Sequence, residues 1–302
     1  LFLRGGMIRA YTCQQRRIDG TPTVRSFYVA RIARIYPMHL LALFVALFFM
    51  QFFNHPSPTD FFHLGINTFL LQSFIPGQEF LFNSVSWSLS DEAFFYALFP
   101  LIVFSTFRDR RRGTILFWSV LGCVIVVSAY LLRNHPWANW VLYINPLFRI
   151  FDFLLGIALY NLCLRWTPRP HISYTKLEWL ALLLLLAAYG LAFFIPESFR
   201  QSVWYWIPIG LLIATFYFHQ GAISRFLSHR LFVKLGEISF AFYLFHFQTI
   251  QGLRIVLDHL HLPVSLPGEF CLAFMATLVI AYIAHQYIEQ PLNRLIRKRF
   301  SS

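Results

Sequence analysis

Charged residues are scarce in this chain. Asp, Glu, Lys and Arg make up 13% of its 302 residues, whereas ordinary soluble domains carry about 25%. Hydrophobic residues make up 58%, and phenylalanine alone occurs 36 times. A soluble core of this size cannot hide so much apolar surface. The composition therefore excludes an ordinary soluble domain and indicates a protein whose solvent is lipid.

The signatures of common cofactor and metal sites are also missing. The sequence has no glycine-rich phosphate loop and no histidine cluster at metal-ligand spacing, so we predict no metal and no permanently bound cofactor. The four cysteines lack disulfide or metal spacing, which favours small buried hydrophobes: Cys13, Cys123, Cys163 and Cys271. We find no coiled coil, low-complexity linker or inverted repeat, and predict a single membrane domain over residues 1–302.

Long apolar segments recur along the chain. A helix needs about 20 mostly apolar residues to cross the hydrocarbon core of a bilayer. Eight segments approach this length and predict an all-α, polytopic transmembrane helix bundle: 37–53, 92–107, 114–133, 141–164, 177–195, 203–218, 235–254 and 268–288. The apolar stretch 62–74 is too short to span comfortably, which predicts a re-entrant or interfacial segment.

The basic residues predict how these spans are oriented. The formal net charge is +12, from 25 Lys and Arg against 13 Asp and Glu. Such an excess can indicate nucleic-acid binding, but these cations interrupt apolar runs at intervals, which indicates membrane topology instead. Seven arginines precede residue 37, and further basic clusters fill alternate loops and the tail. Because cytoplasmic loops attract Lys and Arg, we predict that both termini are cytoplasmic and that 62–74 does not cross.

The stretch "SVSWSLSDEAFFYALFPLIV" (84–103) places polar residues at the start of an apolar run. One interpretation is a well-capped membrane helix, whose N-cap, first-turn and interface residues are Trp87, Ser88, Ser90, Asp91 and Glu92. The alternative is a site at the membrane surface, since Glu92 and Tyr96 are four residues apart and share a helix face.

Polar side chains inside predicted spans are costly in hydrocarbon and are candidate functional residues. Arg149 and Asp152 are three residues apart, so they form either a structural salt bridge or the polar lining of a substrate cavity. Tyr243 and His246 also share a helix face, as a hydrogen-bonding contact between helices or as part of a site.

Five stretches, in order over nearly the whole chain, resemble motifs of the membrane acyltransferase family 3. They are "RSFYVARIARIYPMHLLAL" (25–43), the segment 67–101 with its "WSLSDEAFFY", "RIFDFLLGIAL" (149–159), "LGEISFAFYLFHFQTI" (235–250) and "YIEQPLNRLIRKR" (287–299). The resemblance implies an enzyme of the bacterial inner membrane. It would move an acyl group, with acetyl-CoA the expected donor, from cytoplasmic acyl-CoA to a hydroxyl of a cell-envelope carbohydrate or lipid-linked glycan.

The resemblance also implies roles for particular residues. The catalytic candidates lining the acceptor site are Ser88, Glu92 and Tyr96, with His246 as a further candidate. The substrate-cavity candidates are Trp87, Arg149, Asp152 and Tyr243. Acyl transfer from acyl-CoA also needs cations for the CoA phosphates, and Arg31 and Arg34 lie three residues apart at a predicted cytoplasmic helix start. The alternative for this pair is an orientation signal that contacts lipid headgroups.

One departure from the family pattern concerns the start of the chain. Members usually carry the expected catalytic histidine on a first span, whereas "LFLRGGMIRAYTCQQRRI" aligns best with the second span and the basic loop behind it. We therefore interpret 1–36 as the remnant of that second span plus a cytoplasmic basic segment. The catalytic histidine stays unassigned, and two alternatives stay open: a transporter or flippase without chemistry, and an inactive truncated member.

Overall fold

The computed structural model describes residues 2–19, 24–53, 60–106, 111–166 and 171–300, and all regular structure within these ranges is helical. The predicted all-α class is therefore confirmed. The α-helices are α1 (Phe2–Asp19), α2 (Val24–Phe53), α3 (Asp60–Thr68), α4 (Trp87–Thr106), α5 (Arg111–Leu131), α6 (Pro146–Arg165), α7 (Tyr174–Leu191), α8 (Glu197–Ser202), α9 (Trp206–Tyr217), α10 (Ala222–Leu227), α11 (Arg230–His259), α12 (Leu266–Ala284) and α13 (Gln290–Phe300).

Within the described ranges, four helical stretches are long and apolar enough to cross a membrane. They are Val24–Phe49, Trp140–Arg165, Tyr174–Phe194 and Leu266–Phe300. The other four predicted spans fall on α4, α5, α9 and α11, but the count of eight crossings stays a prediction. Of these, α9 has 12 residues, about 18 Å at ~1.5 Å per residue, which is shorter than a hydrocarbon core of about 30 Å.

The helices expose large apolar side chains, as expected where the solvent is lipid. Helix α7 presents Leu180, Leu183 and Leu186 outward at intervals of three residues, while Glu178 and Ala181 are buried. This polarity is the reverse of a soluble helix, because the apolar stripe faces the surroundings and the carboxylate faces the protein.

The chain forms two compact units. Unit 1 comprises Leu1–Pro22 and Phe94–His229, and unit 2 comprises Thr23–Ala93 and Arg230–Ser302. This division into two units does not test the prediction of one acyltransferase domain over 1–302, which stays a prediction.

In unit 1, α1 packs along α6 at a close backbone approach. A Cβ on Gly6 would lie 1.9 Å from the carbonyl oxygen of Phe153, and a Cβ on Gly156 would lie 1.9 Å from that of Leu3. Such contact through small residues is typical of membrane helix packing. The segment interpreted as a span remnant is thus a helix whose Phe2 and Leu3 are buried.

In unit 2, the segment after α2 does not run the length of a span. Helix α3 has nine residues, about 14 Å, and it ends against the middle of α2, where the Tyr36 hydroxyl donates to the carbonyl oxygen of Thr68 at 2.8 Å. The chain then turns at Leu70, whose φ is 56°, and passes through the 3₁₀ turn Gln72–Phe74 toward α4. In this segment Ile66, Leu70 and Gln72 are buried, whereas Phe62 and Phe69 are exposed. The re-entrant or interfacial character of 62–74 stays a prediction.

Candidate functional site

Unit 2 buries a group of polar side chains among apolar helices. Each of them is at most 3% exposed, and we call the group the buried polar cluster: His39, Asn67, Gln72, Ser73, Asn83, Ser86, Ser88, Ser90, Asp91 and Gln248. Burial of so many polar groups is costly unless they are hydrogen-bonded or hold a ligand. The cluster is therefore the part of unit 2 where function is to be sought.

The serines of the "SVSWSLS" stretch have roles other than the predicted caps. Helix α4 begins at Trp87, and the backbone N–H groups of Leu89 and Ser90 donate to the carbonyl oxygen of Ser86 at 3.0 and 3.2 Å. The prediction that Ser88 and Ser90 are N-cap residues is wrong, because Ser88 is the second and Ser90 the fourth residue of the helix. The Ser90 hydroxyl makes tertiary contacts, and the Ser88 hydroxyl makes one as well as a local hydrogen bond to the carbonyl oxygen of Val85 at 3.2 Å.

Those contacts tie α4 to the turn after α3 and to α11. The Ser90 hydroxyl donates to the carbonyl oxygen of Leu70 at 2.5 Å and accepts from Ser73 at 2.6 Å. The Ser88 hydroxyl lies 2.9 Å from that of Tyr243, and Tyr243 also lies within 3.1 Å of the carbonyl oxygen of Val85. Two predicted site residues from separate motifs, Ser88 and Tyr243, are thus brought together.

His39 of α2 is a buried residue that the sequence analysis did not single out. Its Nε2 lies 2.8 Å from the carbonyl oxygen of Asn67, and because a carbonyl only accepts, Nε2 carries a proton. The ring has no acidic partner in the described ranges and is 1% exposed, so we treat it as neutral, with a lone pair on Nδ1. Nδ1 is buried and has no partner there either. The available signal was a histidine inside an apolar span.

The buried amides of the cluster share an unusual state. Each donates its NH₂ group to the protein, whereas each side-chain oxygen is buried and unpaired within the described ranges: Asn67, Gln72, Asn83 and Gln248. The site therefore has an excess of acceptors.

The other histidine candidate faces its own helix. His246 Nδ1 lies 2.7 Å from the carbonyl oxygen of Tyr243, and its ring is parallel to that of Phe242 at 6.4 Å. The position of His246 Nδ1 is therefore explained by a hydrogen bond within its own helix. A catalytic role for His246 stays a prediction.

Helix α4 is continuous through Glu92 and Tyr96, so the two residues lie one turn apart on one face, as their spacing predicts. Glu92 is half-buried and Tyr96 is buried. With Trp87 at the first helical position, Glu92 is the sixth residue of the helix, beyond the turn in which the helix dipole favours a carboxylate. The capping interpretation therefore does not account for Glu92.

Arg149 and Asp152 form an ion pair in unit 1, with Nη1 and Oδ2 at 2.8 Å. The second carboxylate oxygen accepts from Trp206 Nε1 at 2.6 Å. The guanidinium also lies over the rings of Phe2 and Tyr143, at 5.1 and 5.4 Å from their centroids. Because protein groups occupy both carboxylate oxygens, the geometry favours the structural salt bridge over the cavity lining.

Arg31 and Arg34 have different environments on α2. Arg31 is buried, with its guanidinium 5.7 Å from the ring centroid of Phe27, whereas Arg34 is exposed. Of the two, Arg34 presents the more accessible charge for a phosphate.

Two further observations concern ligands. No group of three or more His, Cys, Asp and Glu residues suited to a metal occurs among the described residues. Unit 1 contains a cavity of about 990 Å³ whose walls are mostly apolar, with Arg4 and His219 among its lining residues. None of the predicted site residues lines it.

Comparison with known proteins identifies the class. Residues 8–286 match the family model described as an acyltransferase domain, so the chain belongs to this family of acyltransferases. The five motifs in the sequence indicate the same family.

Particular relatives agree with this class. The chain is 30% identical to "Acyltransferase MdmB" of Streptomyces mycarofaciens, over 99% of the chain and 80% of that protein. It is 26% identical to "Putative acetyltransferase ORF330" of Acidianus two-tailed virus, over 84% of the chain and 74% of that protein. It is 22% identical to "Putative O-acetyltransferase SACOL0978" of Staphylococcus aureus (strain COL), of which it spans about half (51%). No solved structure matches the chain.

Proposed function

We propose that the chain is an O-acyltransferase of the inner (plasma) membrane. It moves an acyl group, acetyl in the simplest case, from cytoplasmic acyl-CoA to a hydroxyl of a cell-envelope carbohydrate or lipid-linked glycan. One observation carries the proposal: an imidazole nitrogen with a free lone pair, His39 Nδ1, lies buried within a polar cluster of an acyltransferase family member.

The chemistry needs a base and a donor to the developing oxyanion. In this scheme His39 Nδ1 takes the proton of the acceptor hydroxyl as its oxygen attacks the thioester carbonyl. The hydroxyl pair of Ser88 and Tyr243 exchanges a hydrogen bond to the carbonyl oxygen of Val85 for one to the oxyanion of the tetrahedral intermediate. When the carbon–sulfur bond breaks, His39 returns the proton to the departing CoA thiolate, so the ester and the free thiol are the two products.

The donor is expected to bind from the cytoplasmic side. The phosphates of CoA need cations, and α2 offers the exposed Arg34 near its start. Helix α13 packs against α2 in the same unit and brings more positive charge: Arg294, Arg297, Lys298 and Arg299. This arrangement supports cytoplasmic acyl-CoA binding beside α2.

The test measures free thiol released from acetyl-CoA by the purified protein in nonionic detergent, with and without a neutral oligosaccharide. We expect release to depend on the protein and to rise with the oligosaccharide. His39→Gln should lower the rate at least about 100-fold, the usual scale for a lost general base. The matched control is His171→Gln, at an exposed position outside the helices. Absence of protein-dependent release, or equal rates for the two variants, would overturn the proposal.

A further inference from the structure

The cavity of unit 1 contains none of the residues proposed for acyl transfer. Its volume of about 990 Å³ is near the upper end of the range of about 300–1,000 Å³ that small-molecule sites span. Helices α1, α6, α7, α9 and α10 all contribute side chains to its walls. Most of these side chains are apolar, among them Leu182, Leu212, Ile213, Phe216 and Leu227. Such walls suit the alkyl chain of an amphiphile.

Arg4 of α1 also lines this cavity. A Cβ on Gly156 would lie 1.9 Å from the carbonyl oxygen of Leu3 and 3.0 Å from the backbone nitrogen of Met7. Gly156 is the eleventh of the 20 residues of α6, and α6 belongs to the stretch Trp140–Arg165, which is long and apolar enough to cross a membrane. Arg4 lies between Leu3 and Met7 in the chain, so it is beside the middle of that helix.

The positive charge of Arg4 is not balanced within the described part of the chain. No hydrogen bond or ion pair joins its guanidinium to another described residue. The other basic side chain at the cavity is His219, and no carboxylate is among the described residues that line it. An arginine beside the middle of a span is costly and marks a candidate functional site. The cavity therefore offers a cation and apolar walls to a ligand that carries an anion and an apolar chain.

We infer that this cavity binds a long-chain fatty acid, whose carboxylate pairs with the Arg4 guanidinium and whose alkyl chain lies along the apolar walls. The planar guanidinium matches a carboxylate through two parallel hydrogen bonds. This inference goes beyond the proposed function and does not rest on it, because the binding site shares no residue with the proposed reaction.

A phospholipid also carries an anion and alkyl chains, but it fits this site less well. Its charged headgroup lies at the membrane surface, outside the hydrocarbon core of about 30 Å, whereas Arg4 lies beside the middle of α6. A carboxylic acid enters an apolar cavity as the neutral acid and ionises where a neighbouring cation favours the carboxylate. The position of Arg4 therefore favours a fatty acid.

The test measures equilibrium binding of radiolabelled tetradecanoate to the purified protein in nonionic detergent. Tetradecanol is the matched ligand, because it has the same chain length without the charge. We expect it to displace tetradecanoate at least about tenfold less well than unlabelled tetradecanoate does, the usual scale for a hydrogen bond between charged groups. Arg4→Gln should abolish this preference. Arg133→Gln, at an exposed arginine of unit 1 away from the cavity, should keep it.

Two further measurements separate a bound fatty acid from a change in folding. Tetradecanoate should raise the melting temperature of the unchanged protein and of Arg133→Gln, but not that of Arg4→Gln. A tetradecanoate with a photoreactive group at the end of its chain should label peptides from the cavity walls, within 160–166 and 212–227. Ile213→Trp, which fills the cavity, should reduce this labelling and the binding of both the acid and the alcohol.

Four results would overturn the inference. They are equal binding of tetradecanoate and tetradecanol, equal preferences in Arg4→Gln and Arg133→Gln, labelling confined to peptides outside the cavity walls, and displacement by phosphatidylglycerol as effective as by unlabelled tetradecanoate. The last result would assign the site to a phospholipid. None of these measurements depends on thiol release from acetyl-CoA, so the proposed function and this inference fail separately.

Discussion

The hydroxyl groups of Ser88 and Tyr243 lie 2.9 Å apart, although 155 positions separate the two residues in the chain. Ser88 belongs to the "WSLSDE" motif on α4 and Tyr243 to the "YLFH" motif on α11. Two stretches that resemble separate family motifs therefore meet at one contact within the buried polar cluster of unit 2.

This contact predicts the behaviour of a double-mutant cycle. Tyr243→Phe and Ser88→Ala should each lower thiol release from acetyl-CoA by roughly 10- to 100-fold, because each removes a donor from the proposed oxyanion site. The double variant should lose little more than either single variant, since the hydroxyls act together. Tyr189→Phe, at a side chain exposed on α7, is the control. Multiplying losses would show that the two hydroxyls act independently.

The ion pair of unit 1 predicts a partial rescue. Asp152→Asn leaves the largely buried Arg149 without its counter-charge, so it should lower the stability by about 3–5 kcal/mol. Arg149→Gln combined with Asp152→Asn should recover part of this loss in thermal unfolding in detergent. Glu269→Gln, which breaks the more exposed pair with Arg254, should cost at most about 1 kcal/mol. Strictly additive losses at 149 and 152 would argue that the pair contributes nothing as a pair.

The close approach of α1 and α6 predicts opposite effects for two glycine substitutions. Gly156→Ala places a Cβ against the carbonyl oxygen of Leu3, so it should separate the helices and lower the stability by about 1–3 kcal/mol. Gly190→Ala meets no atom within 4 Å and lies within α7, so it should leave stability equal or raise it by up to about 1 kcal/mol. Thermal unfolding of both variants checks this, and equal melting temperatures would contradict the α1–α6 contact.

The sequence predicted helices well because their apolar runs are long and almost uncharged, as in 177–195, which α7 covers. It also predicted the short segment 62–74, because α3 and the following turn lack the length to cross. It did not predict the buried polar cluster. Members such as His39, Asn83 and Gln248 are far apart in the chain, and they meet through hydrogen bonds to backbone carbonyl groups, which carry no sequence signal. The start of α4 was misplaced because Ser86, Ser88 and Ser90 are equally good cap residues, and only the backbone hydrogen bonds select Ser86.

Glu178 illustrates the same limit. It is a carboxylate inside a predicted span, fully buried, and its two oxygens accept from the backbone N–H groups of Ile223 and Ser224 at 2.8 and 3.3 Å. A Cβ on Gly221 would lie within 2.2 Å of that carboxylate. Glu178 therefore has a structural role at the start of α10. The sequence does not reveal this role, because 45 positions separate Glu178 from Ile223.

The last prediction concerns Glu92, for which two explanations competed. A carboxylate whose only role is its favourable interaction with the helix dipole lies in the first turn, and replacing it lowers the stability by about 0.3–1 kcal/mol. Glu92 is the sixth residue of α4, so this explanation does not apply to it. We therefore expect Glu92→Gln to keep normal membrane abundance and melting temperature but to lower acyl transfer at least about 100-fold, because a carboxylate that orients the acceptor or the base is lost.

The matched control for Glu92→Gln is Glu237→Gln, which changes an exposed carboxylate at the eighth position of α11. It should leave the rate unchanged. Both variants are measured for thiol release from acetyl-CoA with the neutral oligosaccharide, after their amounts in membranes are compared. A rate for Glu92→Gln close to that of Glu237→Gln would make Glu92 a packing residue of α4. The His39 scheme would then have to operate without the Glu92 carboxylate, leaving the hydroxyls of Ser88 and Tyr243 as its proposed oxyanion donors.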